Sequence, residues 1–345
     1  MVCKMCSLLY ALFPNGSVIA PLVNAVSNAG GFGFLNPGTS ITHIISFFLK
    51  LTLYLGYDPL EKFQGDLDKV REGLSAGEDG TYPFGVGFLC WILDKDIPRS
   101  EALIDLAISY NLRAIWFSFG NDVARWINYV RSKDPVLRNA TKEPIKIFYL
   151  TSDVQDALRS VDEWGVDVLV VQGNEAGGHG SDSSPGLSTL LPEMMHAFRS
   201  KPQFYEAGRL KKPVILGAGG LATGDQIASV IVGGAAGVVL GTRFLLSPES
   251  GYTSEQKARL VAARSDDSVR TFAYDVARGT VGWPAGVDGR ALTSEIVELY
   301  NNGADAETLK EKTKSISLVW AGSGVGLMNE IKPAGVSLLV VSTTP

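Results

Sequence analysis

Short apolar runs alternate along the chain with amphipathic stretches of helical period. Seven of the runs are rich in β-branched or aromatic residues and have the length of a strand: Gly31 to Leu35, Phe84 to Cys90, Ala114 to Ser118, Ile145 to Leu150, Val168 to Gln172, Val214 to Gly217 and Gly237 to Leu240. An eighth strand is expected before residue 18. Strands that alternate with helices are typical of a parallel sheet built from βα units.

The stretches between these strands carry the helical period. They are Pro59 to Leu74, Arg99 to Tyr110, Val154 to Trp164, Leu187 to Phe198 and Gly224 to Val232. Eight strands with interleaved helices favour an α/β fold of the (β/α)₈ TIM barrel type over an open sheet. After Pro248 the chain becomes polar and helical in pattern. We therefore predict a barrel over residues 1–248, completed by 315–345, and a smaller, mostly helical appended lobe over 249–314.

Composition and charge exclude some classes of binding partner. The chain has 345 residues, 46% of them hydrophobic, and a net charge of −5, which gives no electrostatic footprint for nucleic acid or an anionic membrane. Three cysteines are too few for a disulfide framework, so a reducing, cytoplasmic location is expected. Cys3 and Cys6 form an isolated C-x-x-C, which predicts no metal site. The apolar stretch from Ile41 to Tyr57 is interrupted by His43 and Lys50, so no membrane span is predicted.

Two glycine-rich loops follow the last two predicted strands. In TIM barrels a phosphate is often bound by the loops after strands 7 and 8. Here strand 7 runs into Gly219 and Gly220, and strand 8 into Gly241 and Thr242. Residues without a Cβ let backbone N–H groups approach phosphate oxygens closely. These four residues are the predicted phosphate cradle, although tight βα turns alone also require glycines.

The loop after the sixth strand carries a more specific pattern. Gln172 ends an apolar strand, where its amide can donate and accept hydrogen bonds at once, as the pyrimidine edge of a flavin requires. His179 then follows Gly177 and Gly178 and precedes Gly180, so it is predicted on a loop that leaves its imidazole free to shuttle a proton. Gly177 and Gly178 are assigned with Gln172 to the cofactor site.

We interpret the other prominent polar and aromatic residues as structural or solvated, and we do not assign them to catalysis. His196 lies in a predicted helix and His43 in the apolar stretch, so neither is expected to act in catalysis. Glu175 and Asp182 flank the histidine loop and are expected to be solvated. Trp320 is expected to pack in the core more than against a ligand, and the following Gly322 to Gly326 to form a loop near the barrel mouth.

The chain closely resembles the nitronate monooxygenases, formerly called 2-nitropropane dioxygenases, over about residues 18 to 340. The matching motifs are Ala25 to Phe34 (AVSNAGGFGF), Gln172-Gly with Ala176 to Gly180 (AGGHG), Gly217 to Gly220 (GAGG), Leu240 to Phe244 (LGTRF) and Val319 to Gly322 (VWAG). The resemblance implies FMN at the carboxyl ends of the strands and His179 as the active-site histidine. It also implies oxidation of alkyl nitronates or nitroalkanes with O₂ to carbonyl compounds and nitrite.

The sequence departs from this family pattern at three places. Members usually begin with a strand ending in Ala-Pro-Met, whereas this chain has Ala11 to Gly16 (ALFPNG) there. Gly87 stands where many relatives have an asparagine in strand 3. The stretch Gly38 to Leu55 is foreign to the family, which passes almost directly to the equivalent of Gly56.

Two other functions stay open on the sequence. A flavin-dependent enoyl-acyl carrier protein reductase shares the Ala-Gly-Gly-His loop, and an altered first strand is compatible with an FMN-binding pseudoenzyme. The absence of a cysteine after strand 6 argues against an IMP dehydrogenase. The oligomeric state is not determined by the sequence, and a homodimer is one option.

Overall fold

A computed structural model describes residues 9–12, 18–44, 52–134, 143–206, 209–210 and 213–343. Cys3, Cys6 and most of the stretch Ala11 to Gly16 lie outside these ranges. The strands are β1 (Leu9–Leu12), β2 (Gly33–Leu35), β3 (Thr39–Ile44), β4 (Thr52–Tyr57), β5 (Tyr82–Leu89), β6 (Leu112–Ser118), β7 (Lys146–Thr151), β8 (Val168–Gln172), β9 (Gly178–Ser181), β10 (Tyr205–Glu206), β11 (Arg209–Leu210), β12 (Val214–Ala218), β13 (Gly237–Leu240), β14 (Ser268–Thr271) and β15 (Val287–Leu292).

The helices follow the strands in the order expected of βα units. They are α1 (Ala20–Asn28), α2 (Leu60–Glu72), α3 (Cys90–Leu93), α4 (Ile97–Ser109), α5 (Val123–Lys133), α6 (Val154–Asp162), α7 (Leu187–Arg199), α8 (Gly224–Val232), α9 (Thr242–Leu245), α10 (Ser254–Ala262), α11 (Ala273–Arg278), α12 (Glu295–Asn301), α13 (Ala306–Lys312) and α14 (Ala334–Thr343). Two 3₁₀ helices span Ser265–Asp267 and Ser323–Leu327.

Eight parallel strands form the central sheet of a TIM barrel. Their order is β1-β13-β12-β8-β7-β6-β5-β2, and every neighbouring pair is parallel. All seven strand runs identified in the sequence lie in this sheet. The eighth, expected before residue 18, is β1, whose backbone pairs with β13 from Leu9 to Leu12. The predicted α/β barrel is therefore confirmed.

Barrel strands such as β8 are buried on both faces, and for that reason their sequences are continuous apolar runs. In β8, Val168 and Val170 point into the barrel interior, whereas Leu169 and Val171 pack in the layer beneath the helices. Aromatic rings fill the interior: Phe34 lies 5.2 Å from Trp116 and 4.9 Å from Phe148, measured between ring centroids. Because this interior is filled, a ligand site has to lie at the strand ends.

Most of the stretch that is foreign to the family forms a two-stranded hairpin. The backbones of β3 and β4 pair antiparallel, with Thr39 opposite Tyr57 and Ile44 opposite Thr52. Within the parts of the chain that the structure describes, no helix has the length and apolar character needed to cross a membrane.

A second, antiparallel sheet joins the histidine segment to residues 249–314. Its order is β14-β15-β9, and His179 in β9 stands opposite Gly289 in β15. The prediction that His179 lies on a loop is therefore wrong: it lies in a short strand. This strand has no local sequence signature because it is formed by pairing with a distant segment. Residues 249–314 contain α10 to α13 together with β14 and β15; their separation as a lobe stays a prediction.

Candidate active site

One pocket at the carboxyl ends of the barrel strands gathers all the residues that the sequence assigned to the site. Its volume is about 370 Å³, within the range of about 300 to 1,000 Å³ common for small-molecule sites. The predicted residues that line it are Gln172, Gly177, Gly178, His179, Gly219, Gly220, Gly241 and Thr242. They come from three barrel loops that are far apart along the chain. The fold therefore brings the eight residues together.

Some of the lining glycines are required by the packing of the loops themselves. Gly219 and Gly220 have φ of +119° and +67°, a region that favours glycine. A Cβ on Gly220 would lie 2.8 Å from the Cβ of Glu175, and one on Gly177 would lie 2.4 Å from the backbone nitrogen of Gly322. These glycines let the loops after β8 and β12 and the segment at Gly322 approach one another closely.

Gly241 is different, because no protein atom explains the absence of its side chain. An added Cβ would meet nothing within 4 Å, and the φ of −112° lies outside the left-handed region that favours glycine. The space beside Gly241 belongs to the pocket. Next to it, the hydroxyl oxygen of Thr242 accepts a hydrogen bond of 2.9 Å from the backbone N–H of Gly322. Gly241 thus leaves room for a ligand group at the end of β13.

Gln172 lines the same pocket and has a buried polar atom without a partner among the described residues. Its side chain is 3% exposed, and its Nε2 donates a hydrogen bond of 3.5 Å to the carbonyl of His179. Its Oε1 is buried and has no hydrogen-bond partner in the described part of the chain. Leaving a buried acceptor unsatisfied costs about 1–3 kcal/mol. A ligand N–H donor at this position would remove that cost.

The His179 imidazole is held by a buried carboxylate. Its Nε2 lies 3.1 Å and 3.0 Å from the two carboxylate oxygens of Asp275, which is 1% exposed and belongs to α11. The hydroxyl of Thr280 donates a 2.8 Å hydrogen bond to Oδ1 of Asp275 and fixes that carboxylate. A carboxylate partner favours the tautomer with the proton on Nε2, which leaves the lone pair on Nδ1. Sequence analysis missed Asp275 and Thr280, since neither belongs to a local motif.

Two indole rings enclose the same imidazole. Trp283 stacks on His179 with ring centroids 3.6 Å apart and an interplanar angle of 11°. Trp320 lies 4.9 Å away at 58°, and it packs so tightly over Gly289 that a Cβ there would lie 2.4 Å from the indole. Trp320 thus lines the pocket as well as packing against β15. Trp283 covers one face of the imidazole and Trp320 lies tilted beside it, so a ligand approaches His179 at the edge of its ring.

Two half-buried arginines fix the ends of the segment that carries His179. Arg270, on β14, donates to the carbonyl of Gly180 at 2.8 Å and to the Asp288 carboxylate at 2.6 Å. Arg290, on β15, donates to the carbonyl and side-chain oxygens of Asn174 at 3.0 Å and 2.7 Å. Burial, and secondarily the charge of Arg270, lower the pKa of Arg290. Charge-assisted bonds of this kind hold backbone carbonyls firmly in place.

The remaining candidates from the sequence take structural positions. The Glu175 carboxylate accepts hydrogen bonds of 3.0 Å and 2.9 Å from the backbone N–H of Leu187 at the start of α7. Asp182 is exposed, and so is His196 on α7. The Gly322 to Gly326 segment lies at the barrel mouth as predicted, where Gly322 and Gly324 line the pocket.

A charged pair, Asp58 and Lys62, also lines the pocket. Asp58 is buried and forms an ion pair with Lys62, whose side chain is largely exposed. The hydrogen bond that Lys62 donates to the Asp58 carboxylate raises the pKa of Lys62. The exposed Arg278 lines the pocket beside Asp275. The lining therefore combines these charged groups with polar side chains, including those of Asn36, Thr242 and Thr280, and with backbone, aromatic and aliphatic groups.

Comparison with known proteins places this site in a family. The family model described as nitronate monooxygenase matches residues 110–338, which is more than half of the chain. Nitronate monooxygenase npaC of Metarhizium robertsii is 28% identical over 335 residues, covering 91% of this chain and 84% of that protein.

Solved structures show the same fold. A nitroalkane oxidase from Streptomyces ansochromogenes has a TM-score of 0.69 at 20% identity, covering 97% of this chain and 94% of that chain. The enoyl reductase domain of MlnA from Bacillus amyloliquefaciens has a TM-score of 0.66 at 15% identity, covering 97% and 93%. At these identities the two structures establish the fold and do not discriminate between activities. The match to the family model identifies the family: the chain belongs to the nitronate monooxygenase family, a family of oxidoreductases.

Proposed function

We propose that this protein is an FMN-dependent nitronate monooxygenase, which oxidises alkyl nitronates or nitroalkanes with O₂ to carbonyl compounds and nitrite. The observation that carries the proposal is the His179–Asp275 pair, a general base with its orienting carboxylate, in a pocket that is also lined by Gln172, whose Oε1 has no partner in the described part of the chain. Family membership supports the reaction type.

The residues of the pocket fit FMN. The buried Oε1 of Gln172 can accept a hydrogen bond from the N–H edge of an isoalloxazine ring. Gly241, Thr242, Gly219 and Gly220 line the same pocket and would together hold one phosphate, which favours FMN over a dinucleotide. Gly177 and Gly178 would border the ring system. When bound, FMN supplies the two-electron redox chemistry that amino-acid side chains lack.

His179 performs the proton transfer that a neutral nitroalkane requires. With Nε2–H directed to Asp275, Nδ1 is the ring nitrogen that can accept the proton α to the nitro group. The resulting imidazolium faces the buried carboxylate of Asp275 and stacks on Trp283. A substrate that is already ionised as the nitronate does not need this step.

An anaerobic absorption experiment tests the proposed function. Purified protein mixed with propyl-2-nitronate without O₂ is expected to lose its oxidised-flavin absorbance, and admitting O₂ should restore it with release of acetone and nitrite. Rapid reduction by NADH or NADPH, with none by the nitronate, would instead indicate an enoyl reductase type of enzyme. FMN binding without nitronate turnover would indicate a pseudoenzyme.

Asp275→Asn is expected to lower kcat for a neutral nitroalkane such as 2-nitropropane by about 10²-fold or more. The amide can donate to Nε2 and so favour the unreactive tautomer of His179, and loss of an orienting carboxylate costs up to about 10⁴ in rate. Steady-state kinetics on 2-nitropropane and its nitronate check this prediction. Asp275 is a positioning residue, so nitronate turnover should fall much less.

Thr280→Val provides a graded comparison for this prediction, because it removes only the 2.8 Å hydrogen bond to Asp275. Its effect should be in the same direction and smaller. Equal losses on both substrate forms in Asp275→Asn would show that Asp275 supports folding and does not orient the base.

A further inference from the structure

Phe119 has a backbone conformation that bulky residues avoid. It follows β6 at the carboxyl end of the strand, and its φ is +52°. Among the residues that the structure describes, the other non-glycine residue with positive φ is Asn111, a type that tolerates this region. A strained residue persists where surrounding contacts impose it, and such residues cluster at functional sites.

The contacts of Phe119 hold its ring at the pocket. Its carbonyl accepts a 2.8 Å hydrogen bond from the backbone N–H of Trp91, and its ring lines the pocket beside Leu89. The ring meets Trp283 edge to face, with centroids 5.6 Å apart and planes at 83°. Trp91 supports Trp283 from another side at 5.0 Å. The strain at Phe119 thus places an aromatic edge against the indole that stacks on His179.

Trp283 belongs to a segment that is distant from Phe119 along the chain. It lies between α11 and β15, in a segment where Gly279, Gly282 and Gly286 have φ of +70°, +106° and +78°. These turns bring the indole between His179 and Phe119. Residues from two distant segments therefore form one continuous aromatic wall beside the candidate base.

Phe119 and Trp283 line the pocket that also contains His179. Resting on the proposed function, we propose that Phe119 and Trp283 select the substrate, favouring nitronates whose carbon carries an aromatic group over small alkyl nitronates. Aromatic substituents gain stacked or edge-to-face contacts with such rings. Phe119 and Trp283 themselves carry no charged group that could pair with a polar substituent, although Lys62, Asp275 and Arg278 also line the pocket.

Specificity constants test the proposal. We expect the wild type to prefer the nitronate of phenylnitromethane to that of nitroethane by about tenfold or more in kcat/KM, the scale of discrimination by apolar pockets. Phe119→Ala should remove most of this preference. Phe204→Ala is the matched control, because Phe204 packs against Phe198 at 5.3 Å away from the pocket and should leave the preference unchanged. A wild type without the preference, or a Phe119→Ala variant that keeps it, would overturn the proposal.

A stability comparison tests whether the backbone of Phe119 is held under strain. Phe119→Gly and Phe119→Ala both lose the ring, but glycine adopts a φ of +52° freely and alanine does not. The glycine variant is therefore expected to have the higher Tm, and equal values would refute the strain. If neither variant folds, Trp283→Leu tests the wall from its other side through the same kcat/KM ratio.

Calorimetric binding separates this proposal from the proposed function. Benzoate and acetate carry a planar carboxylate that mimics the nitronate group and undergo no turnover. Benzoate should bind the wild type more tightly than acetate, and Phe119→Ala should reduce the difference. If benzoate binds more tightly than acetate but the protein oxidises no nitronate, the proposed function is rejected and the role of the aromatic wall is supported. If the enzyme is active but binds both anions with equal affinity, the proposed function is supported and the role of the wall is rejected.

Discussion

Turnover of neutral nitroalkanes is expected to fall by about 10² to 10⁴ when His179 is replaced by asparagine, the range typical for loss of a general base. Asparagine keeps a hydrogen-bonding side chain opposite Asp275 but cannot take up the substrate proton. Its backbone can still pair with Gly289, so β9 should persist. Nitronate turnover should fall less, with FMN still bound, because an ionised substrate needs no base. Steady-state rates on 2-nitropropane and propyl-2-nitronate measure the two effects.

His196→Asn is the matched control for this substitution, since His196 is exposed on α7 and does not line the pocket. It should behave as the wild type on both substrates. If the wild type oxidises nitronates only, the rates on nitroalkanes cannot be compared. His179 would then be a residue that positions or protonates the nitronate. Near-wild-type activity of His179→Asn on both forms would remove His179 from the mechanism.

Gly241→Asp is expected to abolish FMN binding while leaving the fold intact. An added side chain meets no protein atom at this position, so the new carboxylate would occupy the pocket beside the predicted phosphate. Two like charges 4 Å apart repel by about 4 kcal/mol at an effective dielectric of 20. That energy corresponds to about three orders of magnitude in Kd. Fluorescence titration of the apoprotein with FMN measures the loss, and circular dichroism reports the fold.

Gly65→Asp introduces the same charge in α2, where an added Cβ also meets no atom, and should leave FMN affinity unchanged. Gly220 is less suited to this test, because φ is +67° and a Cβ would lie 2.8 Å from Glu175. A substitution there would disturb the loops whether or not they hold phosphate. Normal FMN affinity in Gly241→Asp would mean that the phosphate lies elsewhere.

Much of the fold and of the pocket could be predicted because both depend on local patterns. Parallel strands read as apolar runs, and their carboxyl ends meet at one end of a barrel. For that reason Gln172, Gly219 and Gly241 could be assigned to one site from three separate motifs, and the structure brings them together. The roles of these residues toward FMN remain predictions that the experiments above address.

The environment of His179 could not be predicted from its own segment. The glycines around it indicate a loop, yet residues 178–181 form β9 because β15 pairs with them. Asp275 lies 96 residues further along the chain and Trp283 eight residues beyond that, without any motif that links them to His179. Arg270 and Arg290 hold the same segment through backbone carbonyls, a contact that leaves no pattern in the sequence.

The sequence by itself thus determined the barrel and the end at which the glycine loops and His179 meet. It did so because apolar periodicity and glycine content are local consequences of strand burial and of tight turns. Only the tertiary structure decided that Asp275 orients the imidazole, that Trp283 covers its face, and that Phe119 is strained against that indole. These features arise from contacts between segments distant along the chain, and their geometry exists only after the segments have packed together.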